Sequence, residues 1–172
     1  WADGIAKLAN LNPVDLTPLR RSAAILPRPD FENFDKWPLF VSASESFYAK
    51  PEAGMLMVSP ADEDPVEPQD AWPDDMVLAE GLFRFEEATT IPVTRLEHSW
   101  AGLRTFAPDR TPVVGFAPNS NGFFWLAGQG GYGIQTAPAL SKLTADLITG
   151  KALSLPDDVV TALAPSRLSS DR

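Results

Sequence analysis

The segment GQGGYGIQTAPALSKLTADLI, residues 128–148, has the residue types and spacing to bind a ligand through its main chain. Four of its first six residues are glycine, although glycine inside a regular element costs roughly 0.5–1 kcal/mol relative to alanine. The strand-like FFWLA precedes the cluster and a helical pattern follows it. Several N–H groups and the positive end of a helix dipole should therefore meet at one point. This pattern favours a site for an electron-rich or anionic ligand over a turn that needs glycine only for positive φ angles.

The known phosphate-binding patterns do not account for this cluster. The dinucleotide pattern GxGxxG requires a strand at the chain's beginning and an acidic residue about 20 positions further on, and the P-loop requires Gly-Lys-Ser/Thr. The segment has neither context. The glycines should therefore face a ligand other than a triphosphate.

Arginine side chains are the second candidate for ligand binding. Arg104 lies between Leu103 and Thr105 in an otherwise apolar stretch, where a buried or cleft-facing guanidinium needs an anion. Arg20 and Arg21 are adjacent, and from the residues alone they are interpreted as a solvated pair.

The remaining polar and aromatic candidates are interpreted mainly as structural residues. His98 is the one histidine and the chain has no cysteine, which argues against zinc and excludes disulfides and thiolate chemistry; we predict no metal site. Tyr48 fits either the core or a site, and Trp100 and Trp125 should pack. The charged run 62–64 is expected to be a solvated loop.

The order of the helices and strands that must position these residues predicts an α+β fold with a mainly antiparallel sheet. Helices are predicted at the start of the chain in WADGIAKLANL, over residues 76–89, and behind the glycine cluster up to Gly150. Strands are predicted over residues 22–26, 39–41, 46–49, 54–58, 91–104, 112–116 and 122–127. The connections include a surface loop over 61–75, a turn over 118–121 and a polar tail over 156–172 that should lie along the surface.

EHSWAGLRTFAPDRTPVVG followed by GFFWLAGQGGYGIQTAPA resembles the C-terminal half of the D-amino-acid oxidase-like (DAO family) FAD enzymes, which include glycine and sarcosine oxidases. RRSA, SFYAKP, WAGLR and QGGYGIQT occur in this order in the bacterial D-arginine dehydrogenase-type members, so the resemblance covers nearly all 172 residues. It implies a substrate-binding domain of mixed or antiparallel sheet with helices in residues 1–104. Residues 105–172 would hold the C-terminal strands, the flavin-edge glycine loop, a helix and a tail. The strand, glycine loop and helix would belong to the FAD-binding side, and the family's N-terminal dinucleotide fold is absent from these residues.

The resemblance also implies a site for the substrate carboxylate. Arg21 and Arg104 would clamp the α-carboxylate with their planar donor forks, and Tyr48 would add a hydroxyl to the same group. Leu39 and Val41 would form apolar side walls.

The glycine loop would form one wall of the flavin. Its main-chain N–H groups and the helix behind it would stabilise negative charge at the pyrimidine end of the reduced ring. The carbonyl of Gly131 would accept a hydrogen bond from the substrate amine, and Gln135 would shape the pocket beside the flavin. The implied cofactor-binding residues are Gly130, Gly131, Tyr132, Gly133, Ile134, Gln135 and Thr136.

The implied function is oxidation of a D-amino acid, with hydride transfer from Cα to flavin N5 and hydrolysis of the imino acid to a 2-oxo acid. Two alternatives stay open: a non-catalytic module that binds small carboxylates or amino acids, and a glycine- or sarcosine-type amine oxidase on the same scaffold. The acidic residue that meets the basic substrate side chain in arginine-preferring members is missing, so the substrate side chain is not predicted.

Composition excludes several other classes of protein. The 172 residues are 44% hydrophobic and carry a formal net charge of −9, which fits a globular chain and makes nucleic acid a poor partner. No apolar run reaches the roughly 18 residues of a membrane span, and the absence of cysteine fits a cytoplasmic location. Because the chain starts at Trp1 rather than Met, we expect it to be an inactive piece of a longer polypeptide. Its expected partners are an amino-acid substrate and an N-terminal domain that binds most of the FAD.

Overall fold

The computed structural model describes residues 1–118, 120 and 122–168. The chain divides into two compact units. The central unit is Leu19–Leu103, and the terminal unit combines Trp1–Pro18 with Arg104–Arg172. The sequence predicted a division into residues 1–104 and 105–172, whereas in the structure the first 18 residues group with residues 104–172. The first 18 residues share a core with the C-terminal part, because Val14 and Leu16 are buried in one cluster with Val113 and Trp125.

The larger sheet is mainly antiparallel, which confirms the predicted α+β class. Its strand order is β2-β3-β4-β1-β5, and β6 also pairs with β1. Antiparallel register is set by pairs such as Ala49 with Val58 and Ala24 with Val58. The strands are β1 (Thr17–Leu26), β2 (Phe40–Val41), β3 (Tyr48–Glu52), β4 (Met55–Ser59), β5 (Asp64–Pro65) and β6 (His98–Phe106).

Helix α1 (Ala2–Leu8) opens the terminal unit, and helix α2 (Asp75–Ala88) covers the central unit's core. Asp74 caps α2 by accepting hydrogen bonds from the backbone N–H groups of Met76 and Val77, which is the usual role of aspartate at this position. The buried side chains of this core are Leu26, Phe34, Phe47, Ala49, Leu56, Val58, Phe85 and Ile91.

The terminal unit contains a two-stranded antiparallel sheet and the helix that follows the glycine cluster. Strands β7 (Val113–Phe116) and β8 (Phe124–Ala127) pair, and α3 (Gly133–Thr149) follows β8. Gly150 ends α3 with φ of 64°, a left-handed conformation for which glycine is the favoured residue. Val114, Leu140, Leu143 and Leu163 form a core cluster with α4 (Asp157–Leu163).

Several element predictions were wrong in their extent. The strand expected over 91–104 starts only at His98, because Pro92 has no N–H and Val93 donates to the Glu86 side chain rather than to a sheet (2.8 Å). The first strand is longer than the predicted 22–26 and begins at Thr17.

Two connecting segments also differ from expectation. The loop over 61–75 contains β5. The polar tail forms α4 and a 3-10 helix, Pro165–Leu168, because Leu163 and Pro165 are buried. Asn119 and Asn121 of the predicted turn and residues 169–172 of the tail lie outside the described residues.

Candidate functional site

The four glycines of the cluster fall into two pairs with different roles. Gly128 and Gly130 have φ angles of 72° and 54°, which L-residues with a side chain adopt at a cost. A Cβ on Gly130 would lie 2.1 Å from a ring carbon of Phe106. The alternative interpretation, a turn that requires glycine, therefore accounts for these two positions.

Gly131 and Gly133 are not required by the turn. Neither has a positive φ angle. A Cβ on Gly131 would have no atom within 4 Å, and one on Gly133 would make an ordinary 3.6 Å contact with Gln129. The space in front of Gly131 is open for the close approach of a flat ligand.

The backbone N–H groups of the loop also divide into two sets. Gly130 donates to the carbonyl of Thr105 (2.9 Å) and Tyr132 donates to that of Gln129 (2.9 Å), so these two amides are used within the protein. The predicted contribution of the Gly130 amide to a flavin site is therefore not available in this geometry. Thr136 is likewise used, since its N–H and its hydroxyl both reach the carbonyl of Tyr132.

The first turn of α3 carries the remaining donors. Within the described part of the chain, no acceptor takes a hydrogen bond from the amides of Gly131, Gly133, Ile134 or Gln135. Tyr132 precedes the helix without a side-chain cap, and Ile134 is 96% exposed. A 17-residue helix thus presents uncapped N–H groups and its positive dipole end to solvent, an arrangement that attracts negative charge.

Arg104 lies next to the residue that anchors this loop. It is half-buried in β6 and belongs to the terminal unit, and its neighbour Thr105 accepts the hydrogen bond from Gly130. Among residues 1–118, 120 and 122–168, no carboxylate or other acceptor contacts its guanidinium. Because a planar guanidinium fork with open donors matches the geometry of a carboxylate, this residue is suited to receive a ligand carboxylate.

In the central unit the structure brings Arg21 and Tyr48 together. The guanidinium carbon of Arg21 lies 5.9 Å from the centroid of the Tyr48 ring. Val41 pairs with Tyr48 across β2 and β3. Leu39 and Val41 are each 52% exposed, so apolar side chains stand at the surface of this edge of the sheet.

Arg21 differs from Arg104 because it already has acceptors. Its Nε donates to the carbonyl oxygen of Asp62 (2.8 Å) and its Nη2 to Oε1 of Glu63 (2.9 Å). The neighbouring Arg20 pairs with Asp64 (2.8 Å) and lies 3.6 Å from Oδ2 of Asp62. The arginine pair is therefore not merely solvated.

The expectation that residues 62–64 form a solvated loop was wrong for Asp62. Its side chain is only 4% exposed, and its carboxylate accepts hydrogen bonds from the backbone N–H (2.6 Å) and the hydroxyl (2.8 Å) of Ser22. Ser22 in turn is fixed by Ser59, whose hydroxyl donates to the Ser22 carbonyl (2.6 Å). Sequence reasoning missed this buried network, because an acidic Pro-rich segment has the composition of a surface loop. The signal that could have found it is the pair of serines in otherwise apolar strands.

Two carboxylates of the terminal unit have shifted titration. Arg167 donates to both oxygens of Asp109 (2.7 and 3.1 Å) and holds the pKa of that carboxyl below its usual range. The Lys142 amino group, with help from Ser154, lowers the pKa of Asp146. The first pair joins the 3-10 helix Pro165–Leu168 to Asp109, and the second lies within α3.

Trp125 has the packing role that was expected of it, whereas His98 and Trp100 are exposed. His98 stacks on Trp100 with ring centroids 5.9 Å apart, and Trp125 is buried in a terminal-unit core. Over the described ranges, no group of three or more acidic or histidine side chains is arranged to hold a metal ion. Of the helices in those ranges, none has the length and apolar character to cross a bilayer.

Comparison with known protein families identifies the kind of protein in which such a glycine loop and helix occur. A family model described as FAD dependent oxidoreductase (DAO) matches residues 1–147. The chain belongs to this family. The open space at Gly131 and the uncapped amides of α3 fit one electron-rich edge of the FAD on which DAO-family enzymes depend.

Individual relatives in the DAO family agree with this assignment. The chain is 38% identical over 72 residues to the tRNA 5-methylaminomethyl-2-thiouridine biosynthesis bifunctional protein MnmC of Thiobacillus denitrificans, covering 42% of this chain and 12% of that protein. It is 40% identical over 60 residues to a D-amino acid dehydrogenase of Neisseria gonorrhoeae, covering 35% and 14%.

A solved DAO-fold structure matches over almost the whole chain. L-proline dehydrogenase from P. horikoshii has a TM-score of 0.76 and 24% identity, with 97% of this chain and 44% of that chain covered. The matches thus span less than half the length of each of these three proteins.

Proposed function

We propose that this chain is part of an FAD-dependent enzyme that oxidises D-amino acids to imino acids, which then hydrolyse to 2-oxo acids. Family membership supports an FAD-dependent oxidoreductase, and the finer assignment to D-amino acids is supported by the resemblance of RRSA, SFYAKP, WAGLR and QGGYGIQT. The N. gonorrhoeae D-amino acid dehydrogenase is consistent with this choice.

One observation carries the proposal. Arg104 is a half-buried cation without an acceptor among the described residues, and it stands one residue from the carbonyl that anchors the Gly130 amide. The same loop leads into the uncapped amides of α3. A free guanidinium and a free helix N-terminus in one unit make a pair of anion-binding groups, as an amino-acid carboxylate and an electron-rich flavin edge require.

The chain's residues would bind and orient the reactants. FAD, when bound, supplies the acceptor for a hydride from the substrate Cα at its N5. Arg104 binds the α-carboxylate and thereby fixes the direction of the Cα–H bond. The carbonyl of Gly131 accepts a hydrogen bond from the substrate amine. The amides of Gly131, Gly133 and Gln135 would hold the flavin edge, where fixed donors would stabilise negative charge.

The central unit would supply the rest of the substrate contacts. By resemblance, Arg21 and the Tyr48 hydroxyl bind the same carboxylate, and Leu39 and Val41 form the apolar wall for the side chain. The exposure of both apolar residues supports a role in covering a ligand, since apolar groups gain free energy when a bound molecule removes them from water.

We further propose that these residues act within a longer cytoplasmic polypeptide. The relatives extend well beyond the matched segment, and the missing part would carry the dinucleotide fold that binds most of the FAD. The isolated chain should therefore be inactive.

The test is anaerobic mixing of the FAD-loaded full-length polypeptide with a panel of D-amino acids, L-amino acids and secondary amines. We expect the visible absorbance of the oxidised flavin to disappear with D-amino acids and to persist with their L-enantiomers. Bleaching only by glycine or sarcosine would favour the glycine- or sarcosine-type oxidase. Absence of bleaching with every compound would refute an oxidase or dehydrogenase of amino acids.

The binding-module alternative has its own test. Calorimetric titration of the isolated chain with D-alanine and propionate should give no binding if the chain is part of an enzyme. Micromolar binding without FAD would instead favour a non-catalytic module.

A further inference from the structure

We propose that Asp62 is a positioning residue that sets the orientation of Arg21 for the substrate carboxylate, a role that rests on the proposed function. The resemblance places Arg21 in the substrate site but assigns nothing to Asp62. The structure connects Asp62 to this part of the chain through three hydrogen bonds. One comes from Arg21 and two come from the next residue, Ser22.

The side chain of Asp62 fixes strand β1 immediately after Arg21. Its Oδ1 accepts from the backbone N–H of Ser22 (2.6 Å) and its Oδ2 from the Ser22 hydroxyl (2.8 Å). Ser22 is fully buried, and the side chain of Asp62 is 4% exposed. Hydrogen bonds to an ionised, desolvated acceptor are among the stronger ones in proteins, so the carboxylate holds residues 21–22 of the strand in one place.

The main chain of Asp62 then fixes the guanidinium itself. Its carbonyl oxygen accepts from Arg21 Nε (2.8 Å), and Glu63 accepts from Nη2 (2.9 Å). Nε and Nη2 form one edge of the planar group, so that edge is filled by the protein. In the described residues Nη1 has no acceptor.

The consequence is a guanidinium with one orientation and an open Nη1 group. Because an arginine side chain loses conformational entropy when it is immobilised, a side chain that is already held binds a carboxylate at lower cost. Asp62 thus acts on the ligand through Arg21, while Ser59 and Ser22 keep the carboxylate of Asp62 in place.

The experiment is a double-mutant cycle in the FAD-loaded full-length polypeptide, read by calorimetric titration with propionate, a carboxylate that lacks the amine. Asp62→Asn should weaken propionate binding about tenfold, and Ser22→Ala about threefold, when Arg21 is present. Neither change should alter affinity more than about twofold in an Arg21→Gln background. With D-alanine as substrate, both should raise KM while kcat stays within about twofold, because a ground-state contact is lost.

Matched controls separate positioning from a general structural effect. Glu67→Gln removes one negative charge from the same segment at an exposed residue and should change nothing. Equal losses in the Arg21 and Arg21→Gln backgrounds would overturn the inference. If Asp62→Asn does not fold, the Ser22→Ala cycle alone decides the result.

The outcomes also distinguish this inference from the proposed function. Wild-type protein that neither binds propionate nor is reduced by D-amino acids would remove the proposed function. Wild-type protein that does both, with unchanged affinity in Asp62→Asn and Ser22→Ala, would overturn the positioning role alone. Unchanged propionate affinity in Arg21→Gln would overturn it as well.

Discussion

Arg104 and Arg21, which the resemblance assigns to the same carboxylate, have opposite surroundings. Arg104 has no acceptor in the part of the chain that the structure describes, and it adjoins a loop whose helix amides are also unpaired. Arg21 donates through Nε and Nη2 to Asp62 and Glu63, and the carboxylate of the same Asp62 accepts a hydrogen bond from Ser22. The region around Arg104 therefore has unsatisfied donors, whereas the region around Arg21 has most of its donors satisfied.

This difference indicates how each region would contribute to binding. Unsatisfied donors cost little stability at a partly exposed site and contribute affinity when an anion arrives. Satisfied donors contribute to stability and define an orientation. Substitutions around Arg104 should therefore affect ligand binding with little effect on folding, whereas substitutions around Arg21 should affect both. The glycines that shape the loop are an exception, because they affect folding.

The largest expected effect is in the loop itself. Gly130→Ala should reduce the free energy of unfolding by roughly 3–5 kcal/mol, because it combines a left-handed backbone with a 2.1 Å approach to Phe106. Gly131→Ala is the matched control and should cost less than about 1 kcal/mol, since its Cβ meets only open space. Urea unfolding of both variants measures the two changes in the free energy of unfolding. Equal destabilisation would mean that the two glycines do not differ in role.

The second effect concerns the buried network of the central unit. Asp62→Ala should cost about 2–4 kcal/mol of unfolding free energy, because the Ser22 amide and hydroxyl lose their acceptor in a buried position. Asp64→Ala, at an exposed carboxylate in the same run, should cost less than about 1 kcal/mol. A loss as small for Asp62 as for Asp64 would contradict the role of the network.

The third effect separates binding from folding at Arg104. Arg104→Gln should leave the free energy of unfolding within about 0.5 kcal/mol of wild type, since no partner among the described residues is lost. It should weaken binding of a carboxylate to the FAD-loaded full-length polypeptide by roughly 1.5–3 kcal/mol, or about 10- to 150-fold. Arg95→Gln, at an exposed arginine, serves as the control. A large loss of stability with unchanged affinity would reverse the interpretation.

The smallest effect is on acid stability. The pKa of Asp109 is lowered by its hydrogen bonds to Arg167, so this carboxylate stabilises the fold above its unfolded pKa of about 3.9, and the contribution is lost as the pH falls through the folded-state pKa. Asp109→Asn should therefore make the unfolding free energy less dependent on pH below about pH 5. Asp35→Asn, at the exposed pair with Arg28, should change that dependence less. Urea titrations across the acid range would show whether the two slopes differ.

Much of the fold was predictable because its signals are local. The meander from residue 39 to 58 follows short apolar runs and the KPEAG turn, and the helix before Gly150 follows from periodicity and a glycine stop. The start of β6 at His98 was not predictable, because it depends on where Pro92 and Val93 find partners in the tertiary structure.

The candidate site was predictable in residue types and less so in geometry. Glycine content alone could not separate Gly130, which the Phe106 ring requires, from Gly131, which faces open space. Sequence neighbours also gave no indication that Asp62 folds back on Ser22, since the two residues are far apart in the chain.

The decisive experiment for Arg104 and α3 is a crystal structure of the full-length polypeptide with FAD and a D-amino acid, frozen under anaerobic conditions. We expect both substrate carboxylate oxygens to lie within hydrogen-bond distance of the Arg104 guanidinium, and the first-turn amides of α3 to point at the flavin ring. A carboxylate bound elsewhere, with Arg104 paired to a protein side chain and the α3 amides capped by protein, would contradict this expectation.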